Sequence, residues 1–483
     1  MRSTPCPQRR LKAALMGEVR ESTGARMARR PLRAKSIPFG RARGSAACAF
    51  ALVWVLAGCA DRQLMPTPNL YVDAAENPFA NVPDALRTNT VDVLYATDRE
   101  PLPTKDGMLA YGSKRSKSLC FGSSVVEIGR DVSWDALVED STSHHRANSL
   151  PLRVTEMNPL GCFPATPVSV VRDETGLHVE PGAQAEQDAA VATLHAELAR
   201  RLAVTPRKDV VLFVHGYNNT LEDGVFRIAE LSHFLGREFV PILYSWPAGA
   251  GGGLLRGYTR DTESADFTVF HLKEFLRAIA SCPQVERINI VAHSRGNAVI
   301  IAAIRELFVE SRGAHADFRR QYKIHNAVLA AADVDVDVME QRVMAERMGA
   351  GVDRITVYIS DTDKALGISG WLFGSIERVG RLRSNDVEEM RNKLPNLRGI
   401  AFVDARVNTG FIGHGYFQDD PAVSSDLVLV LRYDRDPGEA NGRPLKQIAP
   451  NFWQIDESYP NSRVPRPDED LVGVAVDSHA DSN

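Results

Sequence analysis

Between residues 209 and 403 the chain alternates short, almost unbroken apolar runs with segments of helical periodicity, and one junction between the two is unusually tight. Ile288-Asn289-Ile290-Val291-Ala292 runs through His293-Ser294-Arg295 into Gly296 and a helical stretch, Gly296–Val309. A strand that turns directly into a helix leaves no space for large side chains two residues before and after the turn. Ala292 and Gly296 occupy those two positions. The turn therefore predicts a nucleophile elbow that presents Ser294 at the end of a sheet, with a helix N-terminus beneath it. The alternative is a serine that merely caps a structural helix.

The other apolar runs fit the same plan. Strands are expected at Asp209–Val214, Phe239–Ser245, Arg287–Ala292, Asn326–Ala331, Arg354–Ile359 and Ile400–Val403. Helices are expected at Ala185–Leu202, Ala265–Ala280, Gly296–Val309 and Val336–Arg347. Strands apolar along their whole length belong to a parallel sheet buried on both faces, so the fold class is α/β, a mostly parallel doubly wound sheet. Upstream, Val91–Ala96, Ser124–Ile128 and Pro167–Val171 read as short strands between turns, a small β-rich N-terminal lobe. The expected divisions are 1–58 leader, 59–88 proline-rich tether, 89–183 β-rich lobe, 184–459 α/β domain and 460–483 disordered tail.

Charge separates the leader from the body. Residues 1–58 carry 12 lysines and arginines against 2 acids, and the remaining chain carries 45 against 59. An acidic body has no basic stripe for a nucleic-acid partner, so the basic front reads as targeting. Ala46–Ala57 is wholly apolar and too short to span a bilayer as a helix. It ends in Leu56-Ala57-Gly58-Cys59, which resembles the lipobox of bacterial lipoproteins. That resemblance implies lipidation at Cys59 and a membrane anchor. Ala60, which is not an aspartate, points to the outer membrane, with the body facing the periplasm. Met27 is an alternative start within the leader. Outside the cytoplasm a disulfide is permitted, and Cys120–Cys162 is the natural pair. No cysteine or histidine spacing suggests a metal site, and no cofactor is expected.

A second buried strand, Asp209–Val214, ends in His215-Gly216-Tyr217-Asn218. In an α/β hydrolase the turn after this strand supplies one oxyanion donor, here the N–H of Tyr217, and the residue after the nucleophile supplies the other, here Arg295. His215 precedes the turn and reads as structural.

With these residues in view, residues 89–455 resemble a bacterial α/β-hydrolase family of unknown function in the esterase/lipase superfamily. The shared signatures are Tyr95-Ala96-Thr97-Asp98-Arg99, His215-Gly216-Tyr217-Asn218, Tyr244-Ser245-Trp246-Pro247, Ala292-His293-Ser294-Arg295-Gly296, the run Ser360 through Leu366, and His414-Gly415-Tyr416-Phe417. Arg295 departs from the pattern, where a hydrophobic or small residue is commoner. The fold expects a chain order of serine, acid, histidine. The acid should follow the next-but-one strand after the nucleophile, where Asp361 and Asp363 both stand; the resemblance favours Asp363. Asp333, after the intervening strand, is a lesser candidate. His414 lies between glycines in the loop after the last strand, whereas His315 and His325 come too early and His479 lies in the tail.

The expectation is a serine hydrolase of the cell envelope acting on a small acyl substrate, probed first as a carboxylic ester hydrolase. A thioesterase, amidase or acyltransferase would use the same triad. A non-catalytic lipoprotein using the scaffold for binding is the rival. Gly249–Gly253 lacks the lysine and serine or threonine of a phosphate loop and reads as a rim of the site. Asp333, Asp335 and Asp337 lack the glycine and glutamate of a calcium loop and read as solvated helix-start carboxylates. Tyr258, Asp261 and Ser264 have no role assigned by pattern.

Overall fold

The apolar runs assemble as strands of one sheet because each has two greasy faces to hide. In the computed structural model the described residues are 62–460, except 73, 75, 76, 104–108, 252, 361–365, 367–378, 380–398 and 408–414. The expected leader and disordered tail lie outside them, apart from Pro460. Thirteen strands are present among the described residues: β1 (Thr90–Leu102), β2 (Ala110–Ile128), β3 (Leu152–Cys162), β4 (Val170–Asp173), β5 (Gly176–Val179), β6 (Asp209–Val214), β7 (Val240–Ser245), β8 (Arg287–His293), β9 (Ile324–Ala330), β10 (Arg354–Ile359), β11 (Ile400–Arg406), β12 (Lys446–Ala449) and β13 (Phe452–Asp456). Eleven form a single sheet in the order β12-β13-β11-β10-β9-β8-β6-β7-β1-β2-β3. The pairings from β1 across to β13 are parallel, and the two edges are antiparallel. β4 and β5 make a separate hairpin.

Among the described residues, the helices of eight residues or more are α1 (Trp134–Ser141), α2 (Pro181–Val204), α3 (Leu221–Phe234), α4 (Gly253–Ser281), α5 (Gly296–Gly313) and α6 (Pro421–Leu431). Strand alternation sorts them into two layers. Val210, Leu212 and Val214 of β6 join a core with α2, α4 and α5. Val211 and Phe213 of the same strand join a second core with α3 and α6. Among the described residues no helix is long and apolar enough to cross a membrane.

The boundaries differ from the sequence reading in two places. The β-rich segment 89–183 is not set apart: β1 pairs with β7, and β2 and β3 extend the same sheet outward. The Cys120–Cys162 disulfide joins directly opposed residues of β2 and β3. The segment expected to be a tether is packed from residue 62 onward. Leu64, Met65, Tyr71, Phe79 and Val82 are buried in the second core. The Met65 N–H donates to the buried Glu230 carboxylate at 2.7 Å, and the Tyr71 hydroxyl donates to the Phe234 carbonyl at 2.6 Å. Its prolines set an extended path and leave the apolar side chains between them free to pack.

One buried ion pair fixes the far side of the sheet. Arg443 donates from Nε and Nη2 to the two oxygens of Asp426 at 2.8 and 2.7 Å, and both residues are fully buried. The hydroxyls of Tyr358 (β10) and Tyr459 donate to the same carboxylate at 2.6 and 2.7 Å. This ties α6 to the strand that leads to Ser360. Removing one partner leaves a buried charge uncompensated, so Arg443→Ala is expected to destabilise the fold by about 3–5 kcal/mol. Urea unfolding of the two proteins measures it; a loss below about 1 kcal/mol would contradict the assignment.

Candidate active site

The C-terminal ends of β6, β7, β8 and β9 lie side by side, with Val214 opposite Tyr244 and Ala292, and His293 opposite Ala330. The loops that leave this edge carry three non-glycine residues in the left-handed region: Asn218 (φ 57°), Ser294 (φ 52°) and Ala331 (φ 46°). Such conformations are costly and persist where the surroundings over-determine them.

The surroundings of Ser294 do so. Its N–H donates to the Ala330 carbonyl at 3.0 Å, and its own carbonyl accepts from the backbone N–H groups of Asn297 and Asp333 at 3.1 and 3.3 Å. The Asn297 side chain donates to the carbonyls of Ser294 and Ala330, both at 2.9 Å. Two glycines make the approach possible. A Cβ on Gly296 would sit 2.5 Å from the carbonyl oxygens of Val214 and His215, and one on Gly216 would sit 2.8 Å from the Ser294 Cβ. The loops after β6 and β8 are thus in contact at the serine.

The loop carrying Tyr217 is held from behind by Arg99, a buried side chain at the end of β1. Its guanidinium donates to the carbonyls of Gly112, Ala248 and Asn219 at 3.0, 2.9 and 2.7 Å, and to the Ser245 hydroxyl at 2.9 Å. Burial lowers its pKa to about 10. His215 lies against the same group. Its Nδ1 is 2.9 Å from the Gly216 carbonyl and so carries the proton; Nε2 faces the Ser245 hydroxyl at 3.0 Å and Arg99 Nη2 at 3.3 Å as an acceptor. Burial, reinforced by the Arg99 charge, pushes its pKa down to about 3. His215 is therefore a neutral structural group. From the other side, the buried Asp261 carboxylate accepts from the N–H groups of Asn218 and Gly249 at 3.0 and 3.1 Å, joining the Tyr217 loop to the glycine run. Burial raises the pKa of Asp261 against these amides.

Among the described residues, no group accepts a hydrogen bond from the backbone N–H of Tyr217 or of Arg295. Tyr258 from α4 completes the cluster. Its ring is 5.3 Å from that of Tyr217, its hydroxyl bonds to Asp333, and the Arg295 guanidinium lies 5.7 Å from its ring centroid. Asp333 is thus buried at the elbow, not solvated as its place in an acidic run suggested; Asp335 caps the next short helix, and Asp337 is exposed.

Asp361, Asp363 and His414 lie outside the described residues, as does Cys59. The segment after His414 packs against the elbow and the end of β10. Phe417, three residues after His414, stacks on His293 at 4.7 Å between ring centroids. Tyr416 donates its hydroxyl to the Tyr358 carbonyl at 3.1 Å, joining the end of β10 to the segment after His414. The roles of Arg99, Ser245, Asp261 and Tyr258 were not read from the sequence. Arg99 and Ser245 do stand inside the signature runs, a signal that these positions matter without saying how.

The model of a family described as an alpha/beta hydrolase of unknown function (DUF900) matches residues 190–432. The chain belongs to this family. It is a hydrolase family with the mostly parallel sheet found here. No curated protein matches the chain. Among solved structures, it is similar to an esterase from Pyrobaculum calidifontis at 10% identity, covering 50% of this chain and 91% of the other, with a TM-score of 0.25. A lipase-esterase related protein from Clostridium acetobutylicum gives 14% identity, coverage of 44% and 82%, and a TM-score of 0.19. A serine hydrolase from the polyaromatic hydrocarbon-degrading bacterium Cycloclasticus zankles gives 11%, 52% and 82%, and 0.20. At such scores these likenesses carry no argument beyond the family.

The state of His215 gives a pH test. In the folded protein it takes up a proton only near pH 3, and in the unfolded chain near 6.5. Between these values the unfolded state binds more protons, so stability is retained above pH 6.5 and falls as pH drops, by up to about 1.4 kcal/mol per pH unit. His215→Gln is expected to lessen the slope of unfolding free energy against pH between 6 and 4 by about that amount. An unaltered slope in urea titrations would contradict the buried neutral assignment.

Proposed function

We propose that this protein is a serine hydrolase of the cell envelope that cleaves a carboxylic ester through Ser294, His414 and Asp363. His414 takes the proton of Ser294 as its Oγ attacks the ester carbonyl, and Asp363 orients the imidazole and stabilises its charged form. The N–H groups of Tyr217 and Arg295 receive the oxyanion. The bond to the alcohol then breaks, with His414 returning the proton to it, and an acyl-enzyme remains. Water, deprotonated by the same histidine, attacks the acyl-enzyme and releases the acid.

The observation that carries this reading is the left-handed backbone of Ser294 at the β8–α5 junction, squeezed between Gly216 and Gly296. A serine that only caps a helix has extended backbone and needs no such strain. The chain order and the packing of Tyr416 and Phe417 against β10 and His293 support the other two members. For the envelope location the support is the apolar leader ending at Cys59 and the Cys120–Cys162 disulfide, a bond that persists in oxidising compartments.

Hydrolysis of p-nitrophenyl butyrate by the purified protein tests the chemistry. Ser294→Ala and His414→Ala are each expected to lower kcat/KM by roughly 10³-fold or more; variants that turn over like the parent would overturn the triad. Anchoring is tested in a bacterial host fed a labelled fatty acid. The parent should incorporate label and sediment with membranes, and Cys59→Ser should do neither. Label retained by Cys59→Ser would overturn the anchor.

A further inference from the structure

Among the described residues, none supplies a counter-group to the Arg295 guanidinium. Every fully enclosed arginine described in this structure is bonded. Arg99 meets carbonyls and hydroxyl, Arg201 meets Glu197 and Asp92, Arg237 meets the carbonyls of Leu86 and Thr90, Arg432 meets Glu238, and Arg443 meets Asp426. Arg295 is half-buried, its Nε is shielded from solvent with no acceptor, and among the described residues its guanidinium makes neither a hydrogen bond nor an ion pair. Its one contact of note is the face of Tyr258. The described carboxylates of the cluster are engaged elsewhere: Asp333 by the Tyr258 hydroxyl, and Asp261 by the amides of Asn218 and Gly249.

A shielded N–H without an acceptor is costly. An arginine braced on an aromatic face is also pre-organised, its planar fork ready for a two-oxygen anion. Its position decides which anion. Arg295 directly follows Ser294, so its side chain begins one residue from the point where the acyl carbonyl is attacked. We infer that Arg295 is a specificity residue that binds a carboxylate on the acyl portion of the substrate, making short dicarboxylic hemiesters the preferred substrate class. The inference rests on Ser294 being the acylated residue. It adds a second, anionic point of attachment that the triad does not require.

The test compares mono-p-nitrophenyl glutarate with p-nitrophenyl butyrate, esters of similar length with and without the terminal carboxylate. The parent protein should prefer the glutarate. In Arg295→Met the glutarate-to-butyrate ratio of kcat/KM should fall roughly 10- to 100-fold, the worth of a charge-assisted hydrogen bond. Arg295→Lys should recover part of it, because a point charge lacks the fork. No preference in the parent, or a ratio unmoved in Arg295→Met, would overturn the inference while leaving ester hydrolysis standing. If the parent hydrolyses neither ester, the hydrolase reading fails separately. The inference is then decided by calorimetric titration with monomethyl glutarate: binding weakened at least tenfold in Arg295→Met supports it, and equal or absent binding overturns it.

Discussion

Ser294 keeps a left-handed backbone because the two positions where the β6 loop and the elbow come together, Gly216 and Gly296, carry no side chain. Gly216 brings the β6 loop to within contact of its Cβ, and Gly296 lets α5 start against the carbonyls at the end of β6. Asn297 then ties the carbonyls of Ser294 and Ala330 together. The rest of the site is arranged about that contact. The two loops can carry amides toward one point only if β6 and β8 are neighbours in register, as the pairing of Val214 with Ala292 makes them.

Behind the elbow, buried polar groups fix the loops more firmly than apolar packing alone would. Arg99 gathers carbonyls from β2 and two separate loops, and burial, reinforced by its charge, keeps His215 neutral as an acceptor in the same network. Asp261 performs the complementary task with a carboxylate, gathering amides from two loops. On the far side, Asp426 and Arg443 hold α6 against β10. Each of these groups is expensive to bury alone and is satisfied only in one arrangement of the loops, which gives the edge of the sheet a single geometry.

Much of this was legible in the residues. The central strands could be read because a strand buried on both faces has no polar alternation to obscure it: Asp209–Val214 and Arg354–Ile359 begin and end where the pattern placed them. The elbow was legible because sterics allow so few residues around it. The edge strand β3 was not, since it is largely exposed and contains Pro159, and the sequence carries little apolar signal there; nor were the short β12 and β13 at the other end of the sheet. Residues 62–88 were misread because their prolines resemble those of a linker, while the few apolar side chains between them find a core only in three dimensions. The clamps at Arg99 and Asp261 escaped for a related reason. A buried charge is recognisable from its partners, and those partners are backbone groups distant in the chain.

The central claim is that Ser294 is an activated nucleophile. The most direct measurement is reaction of the purified protein with a fluorophosphonate, followed by peptide mapping by mass spectrometry. The account predicts a single phosphonyl adduct on the peptide containing Ser294, lost after heat denaturation. An unmodified Ser294 in folded protein, or an adduct on some other residue, would contradict it.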